Sequence, residues 1–137
     1  MSDATPKIRL KNLYKRFGEN VVLNGLNLDV GVGESVVIMG GSGSGKSTML
    51  RTMVGSIVPD EGRVYLFGQD TSTLDEQGLN EIRKRFGILF QSGALFESMT
   101  LAENVALPLE EHSSNDRNII DIQVKMKLEL VGLRQHA

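Results

Sequence analysis

The run Gly40-Gly41-Ser42-Gly43-Ser44-Gly45-Lys46-Ser47-Thr48 constrains this chain more than any other feature. It fits G-x-x-x-x-G-K-[ST], a loop whose backbone amides must close on phosphate oxygens. Gly40, Gly41, Gly43 and Gly45 lack a Cβ, so the backbone can turn through positive φ and approach those oxygens closely. The flanks supply the required context. Residues 35–39, Ser-Val-Val-Ile-Met, read as a short strand, and Met49, Leu50, Met53 and Val54 recur at helical spacing until Gly55 stops the run. A strand, a glycine loop and a helix in that order predict an α/β fold with an anion-binding nest at the helix N-terminus. Lys46 would add a charge bridging the β- and γ-phosphates of a nucleoside triphosphate, and Ser47 a hydroxyl for Mg²⁺, a cation that prefers oxygen ligands. A flexible Gly/Ser linker would not need a lysine there.

Little in the bulk composition competes with this reading. The chain has 137 residues, 40% of them hydrophobic and 23% charged, which suits one globular domain. Its net charge of −2 gives no bulk attraction to nucleic acid, and Arg83-Lys84-Arg85 reads as a solvated helix end. It has no cysteine, hence no disulfide framework or thiolate metal site, and His112 and His136 are too isolated to argue for zinc. The polar start, Met1-Ser2-Asp3-Ala4-Thr5-Pro6, does not resemble a signal peptide. The longest apolar run is four residues, far short of a membrane span. A soluble, cytosol-facing protein is expected, reaching a membrane only through a partner.

Residues 8–17 and 21–30 read as two β segments joined at Gly18-Glu19-Asn20, with Leu26, Leu28 and Val30 alternating against Asn27 and Asp29. Pro59-Asp60-Glu61-Gly62 signals a turn, and residues 63–67 a further strand. Leu79, Ile82 and Phe86 mark one face of a short helix, and residues 87–90 read as a compact apolar strand ending at Gln91. Leu101, Val105 and Leu109 suit a short helix broken near Pro108. Every even position from Ile120 to Leu130 is apolar, as in a strand. Ile119, Ile122, Met126, Leu130 and Leu133 also make a helical stripe, and Asn115-Asp116 with Gly132 favour the helix.

The loop strand would be about the third strand of the chain, whereas small nucleotide kinases place theirs close to the first. That order, together with Lys15-Arg16-Phe17-Gly18, the glycine loop, Pro59-Asp60-Glu61-Gly62, Phe90-Gln91 and Met99-Thr100-Leu101-Ala102-Glu103-Asn104-Val105, resembles the ATP-binding subunits of ABC transporters across residues 7–133. Gln91-Ser92-Gly93-Ala94-Leu95-Phe96, with residues 103–109, most resembles the MlaF-like ATPases, which energise phospholipid trafficking between the two membranes of Gram-negative bacteria.

The resemblance implies a P-loop NTPase (RecA-like) core with an N-terminal antiparallel β subdomain, incomplete at the C-terminus. It divides the chain into a β subdomain at 7–34, a phosphate-loop core at 35–91 and the start of a helical subdomain at 92–137. ATP and Mg²⁺ are the implied cofactors. Phe17 would stack on adenine, with Tyr14 the competing platform and a small β core the other use for Phe17. Residues 40–48 would hold the phosphates, Lys46 and Gln91 would serve catalysis, and Ser47 and Gln91 would reach Mg²⁺. Ala94, Leu95, Phe96 and Met99 would either line the groove for a permease's coupling helix or be buried core. The implied partners are a second ATPase subunit, head to tail, and a membrane permease docking near residues 91–99. No nucleic-acid partner is implied, and the expected location is cytoplasmic and peripheral to the inner membrane.

Parts of that pattern are missing from the sequence. An apolar strand ending in Asp, needed to hold Mg²⁺, does not follow Gln91, and residues 107–111 fail as a substitute because Pro108 cannot sit in a central strand. The Leu-Ser-Gly-Gly-Gln signature and a later switch histidine are also absent. The expectation is a piece of an ATPase subunit that does not hydrolyse ATP by itself. The alternative is a short, non-hydrolytic module that binds nucleotide or permease. A P-loop kinase is disfavoured because Arg83, Arg85, Arg117 and Arg134 are too scattered for a lid.

Overall fold

The computed structural model describes residues 5–89 and 93–136, in two compact units, Met1–Phe86 and Gly87–Ala137. The first is built on a four-stranded antiparallel sheet in the order β2-β1-β3-β4. Its strands are β1 (Ile8–Phe17), β2 (Asn20–Val30), β3 (Glu61–Leu66) and β4 (Gln69–Asp70). β1 and β2 form the expected hairpin, and the sheet draws two further strands from beyond the glycine loop. Helix α1 (Lys46–Met53) and helix α2 (Glu76–Arg83) complete the unit. Leu10 and Leu13 from β1, Leu23 from β2, Val64 and Leu66 from β3, Met49 and Met53 from α1, and Ile82 from α2 form one buried cluster. Met49 and Met53 lie one helical turn apart, which is what sets α1 on the sheet.

β1 is not a regular strand. The pairing register slips by one residue between Leu10 and Leu13 on the β2 side and between Lys11 and Tyr14 on the β3 side, so the extra residue belongs to β1. Asn12, at φ 49°, takes up the bulge. The Asn27 side chain accepts the Asn12 backbone N–H at 2.9 Å and donates to Asn12 Oδ1 at 3.0 Å. Gly62 passes so close to the Asn12 carbonyl that a Cβ would overlap it, and its φ of 89° also calls for glycine.

Two expected strands do not pair. Residues 35–39 belong to no strand, nor do 87–89, Phe90 of the second segment lying outside the described residues, and Val37, Met39 and Leu89 are at least 80% exposed. A strand exists only through its ladder, and among the described residues neither segment joins the sheet. The basic cluster also differs from the solvated helix end expected. Arg83 donates to the carbonyls of Val54 (3.3 Å) and Gly55 (2.9 Å), meeting orphan acceptors at the end of α1. The Arg85 guanidinium lies 3.7 Å from the Phe67 ring centre.

The second unit is a helix pair, α3 (Leu101–His112) and α4 (Arg117–Leu130). Pro108 lies inside α3 and does not break it. Proline removes one N–H to the carbonyl four residues back, but Leu101, Ala102, Val105, Ala106 and Leu109 still pack on α4 and hold the helix together. Residues 120–130 are helical as expected, with a different face buried. Ile120, Val124 and Leu128 are inside, whereas Ile119, Ile122, Met126, Leu130 and Leu133 are exposed. Among the described residues, no helix is long and apolar enough to cross a membrane.

Candidate phosphate-binding site

Gly45 is the hinge between loop and helix. It adopts φ 90°, and a Cβ there would lie 2.9 Å from the Val22 carbonyl oxygen of β2. The loop therefore rests directly on the sheet, two residues along β2 from Asn20, the partner of Phe17. Gly43 also has positive φ, at 78°. Ser44 N–H donates to Gly41 O at 3.3 Å, and Met49 N–H to Gly45 O at 2.8 Å begins the helical ladder. Within that turn the Lys46 ammonium donates to Gly40 O and Gly41 O, both at 2.7 Å, and lies 3.3 Å from Ser44 Oγ. The lysine is thus drawn over the loop it follows.

The start of α1 differs from that of the other helices. Asp75, Thr100 and Asp116 each cap their helix through a side chain, whereas Gly45 has none to offer α1. The first-turn amides of Lys46, Ser47 and Thr48 then have no acceptor in their helix and no side-chain cap. Bare donors, the helix dipole and an ammonium converge on one exposed loop, an arrangement suited to a polyanion. Ser42 and Ser47 are exposed, and Thr48 is half-buried with its carbonyl accepting from the buried Thr52 hydroxyl at 2.9 Å.

Phe17 is 51% exposed at the hairpin end, which excludes the small-core reading. Tyr14, the competing platform, lies across Gly25 of β2, its hydroxyl 2.9 Å from where a glycine Cβ would be. Lys15 Nζ is 5.7 Å from the Phe17 ring centre and 2.8 Å from Asp60 Oδ1.

Gln91 lies outside the described residues. Beyond it, Ala94, Leu95 and Phe96 are exposed and Met99 is half-buried, so this segment is not core. Asn104 shapes it: Oδ1 accepts Phe96 N–H at 2.8 Å, and Nδ2 faces the carbonyls of Phe96, Met99 and Thr100 at 2.9–3.2 Å. Thr100 and Glu103 form a capping box, and the Thr100 amide holds the Glu103 carboxyl below the usual carboxylate range. Sequence reasoning did not assign Asn104 this task. The Thr-x-x-Glu spacing that fixes the helix start just before it was the available signal.

A glycine loop on a β-sheet, a lysine drawn over it and an uncapped helix start make up a P-loop. The family model described as ABC transporter matches residues 23–136, and the chain belongs to that family. It is 46% identical over 127 residues to the intermembrane phospholipid transport system ATP-binding protein MlaF of Haemophilus influenzae, covering 93% of this chain and 48% of that protein. MlaF of Escherichia coli K12 is 42% identical over 117 residues, 85% of this chain and 44% of its own. A Mycobacterium leprae protein described as a probable ribonucleotide transport ATP-binding protein, mkl, is 42% identical over 126 residues, 92% of this chain and 36% of its own. The chain thus spans about half the length of these relatives, or less. Among solved structures, a dimeric post-hydrolysis state of the ATP-binding cassette MJ0796 bound to ADP and Pi superposes with a TM-score of 0.79 at 36% identity, over 90% of this chain and 56% of that one. The fold is that of part of an α/β ABC cassette, and the antiparallel sheet is the one formed among the described residues.

Proposed function

We propose that this chain supplies the ATP-holding part of an ABC transporter's ATP-binding subunit, whose Mg-ATP binding and hydrolysis drive phospholipid transport. The observation that carries this is the start of α1, where uncapped amides and Lys46 meet on the glycine loop. Residues 40–48 hold the phosphates. Lys46 exchanges its loop carbonyls for phosphate oxygens, a stronger pairing because the acceptors are charged. Phe17 offers its exposed ring to adenine.

Among the described residues, no group of three His, Cys, Asp or Glu could hold a metal unaided. The oxygen donor at the loop is the exposed Ser47 hydroxyl, which fits Mg²⁺ held jointly with phosphate oxygens, Gln91 being the second protein donor. Bound there, Mg²⁺ neutralises phosphate charge. Gln91 also orients the attacking water. Turnover requires a second subunit, head to tail, and the carboxylate strand and signature loop that this sequence does not contain. The exposed segment at Ala94, Leu95 and Phe96 is where a membrane permease docks, holding the protein at the inner membrane. The phospholipid substrate follows the MlaF relatives.

The test is a calorimetric titration of the chain with Mg-ATP. Lys46→Ala is expected to weaken binding at least about tenfold, through loss of a charged hydrogen-bond donor. Undiminished binding would overturn the assignment of the loop.

A further inference from the structure

We propose that Asp60 is a positioning residue for the nucleotide base, acting through Lys15 on the ring of Phe17; this rests on the reading of Phe17 given above. Asp60 lies in the turn before β3 and closes on the end of β1 from two directions. Its Oδ1 accepts from Lys15 Nζ at 2.8 Å and its Oδ2 from the Arg16 backbone N–H at 2.6 Å. Its own amide donates to Tyr14 O at 2.9 Å. One turn residue thus ties down three consecutive residues of β1.

The consequence for Phe17 follows from strand geometry. Side chains two positions apart leave a strand on the same side, so Lys15 and Phe17 are neighbours on one face. The ammonium held by Asp60 lies 5.7 Å from the ring centre, within cation–π range. A cation fixed against one side of a half-exposed ring restrains its orientation and leaves the other side for a flat partner. The turn itself is already registered by the Tyr14 carbonyl and by the pairing of Tyr14 with Glu61. The Asp60 carboxylate is therefore additional to what β3 needs. It stays ionised, since the Lys15 hydrogen bond and then the Arg16 amide hold its carboxyl below the usual range.

Titration of the chain with Mg-ATP and, separately, with Mg-tripolyphosphate, which has phosphates and no base, separates a base-positioning role from general support of the fold. The wild-type chain should bind ATP more tightly than tripolyphosphate. Asp60→Asn is nearly isosteric and can still accept the Arg16 amide. It should lower ATP affinity about two- to fivefold, the scale of one exposed cation–π contact, and leave tripolyphosphate affinity unchanged. Lys15→Met should do the same, Lys15→Arg should retain wild-type affinity, and Asp60→Asn should add nothing in a Phe17→Ala background. Equal losses for both ligands, or a loss that persists without Phe17, would overturn the proposal. Equal wild-type affinity for the two ligands would refute base stacking, and this proposal with it, while leaving the loop assignment intact. Failure of both ligands to bind would refute the loop assignment first, and Asp60 would have no base to position.

Discussion

Gly45→Ala tests whether the loop depends on its contact with the sheet. Two costs come directly from the geometry. An alanine held at φ 90° costs about 1–2 kcal/mol, the penalty for a left-handed L-residue. Its methyl would also stand 2.9 Å from Val22 O and 3.1 Å from Val22 Cγ1. The nearer atom is backbone of β2 and cannot rotate away, so the overlap adds roughly 1–3 kcal/mol as an overpacked contact. Against these, alanine restricts the unfolded chain and returns about 0.4–1 kcal/mol. The net expectation is a loss of about 2–4 kcal/mol. Both tyrosines, Tyr14 and Tyr65, lie in the unit Met1–Phe86, so tyrosine fluorescence during urea unfolding reports on that unit alone. Gly41 supplies the control, because a Cβ there meets nothing within 4 Å and its φ is not positive. Gly41→Ala should change stability by less than about 0.5 kcal/mol. If Gly45→Ala were equally mild, or Gly41→Ala equally severe, the loop would not be seated on β2 as described.

Pro108→Ala should restore the missing N–H to the Asn104 carbonyl and stabilise α3 by about 1–3 kcal/mol, seen as a higher melting temperature by far-UV circular dichroism; an unchanged or lower value would mean the proline is fully accommodated. Asp29, Asp60, Asp70 and Glu103 all have folded carboxyl values below their unfolded ones, each held there by hydrogen-bond donors. Their contribution is therefore present above the ordinary carboxylate range near pH ~4 and is lost as pH falls through the lower folded values. Urea midpoints should hold steady around neutrality and drop in acid. Asp70→Asn, which keeps an acceptor oxygen for Ser72 but removes the titrating carboxylate that faces Arg63, should flatten that acid limb, and an unaltered slope would refute the assignment.

The hairpin and the loop could be read from the sequence because their signals are local. Alternation through Leu26, Leu28 and Val30 needs no knowledge of the rest of the chain, and neither does a glycine pattern ending in Lys46-Ser47. What failed to read was decided by neighbours. Val36, Val37, Ile38 and Met39 carry a strand's composition, but composition cannot state whether a ladder partner is present. On α4 two apolar stripes compete at helical spacing, and contact with α3 selects Ile120, Val124 and Leu128. Proline chemistry suggested a break at Pro108, and packing on both sides of it prevailed. The roles of Asn104 and Asp60 depend on where remote backbone amides point, which residue identity does not encode.

The bulge at Asn12 gives β1 a parity. Leu10 and Leu13 both enter the core although an odd number of steps separates them, because one residue is absorbed without a partner. From Leu13 onward the alternation places Lys15 and Phe17 on the core side of the sheet, the side that also carries α1. Without the bulge, that side would receive Tyr14 and Arg16 instead. Deleting one residue between Leu10 and Leu13 is therefore more than a shortening of the strand, since it would exchange the two faces of everything downstream in β1. A single supernumerary asparagine thus decides which face of β1 Lys15 and Phe17 occupy.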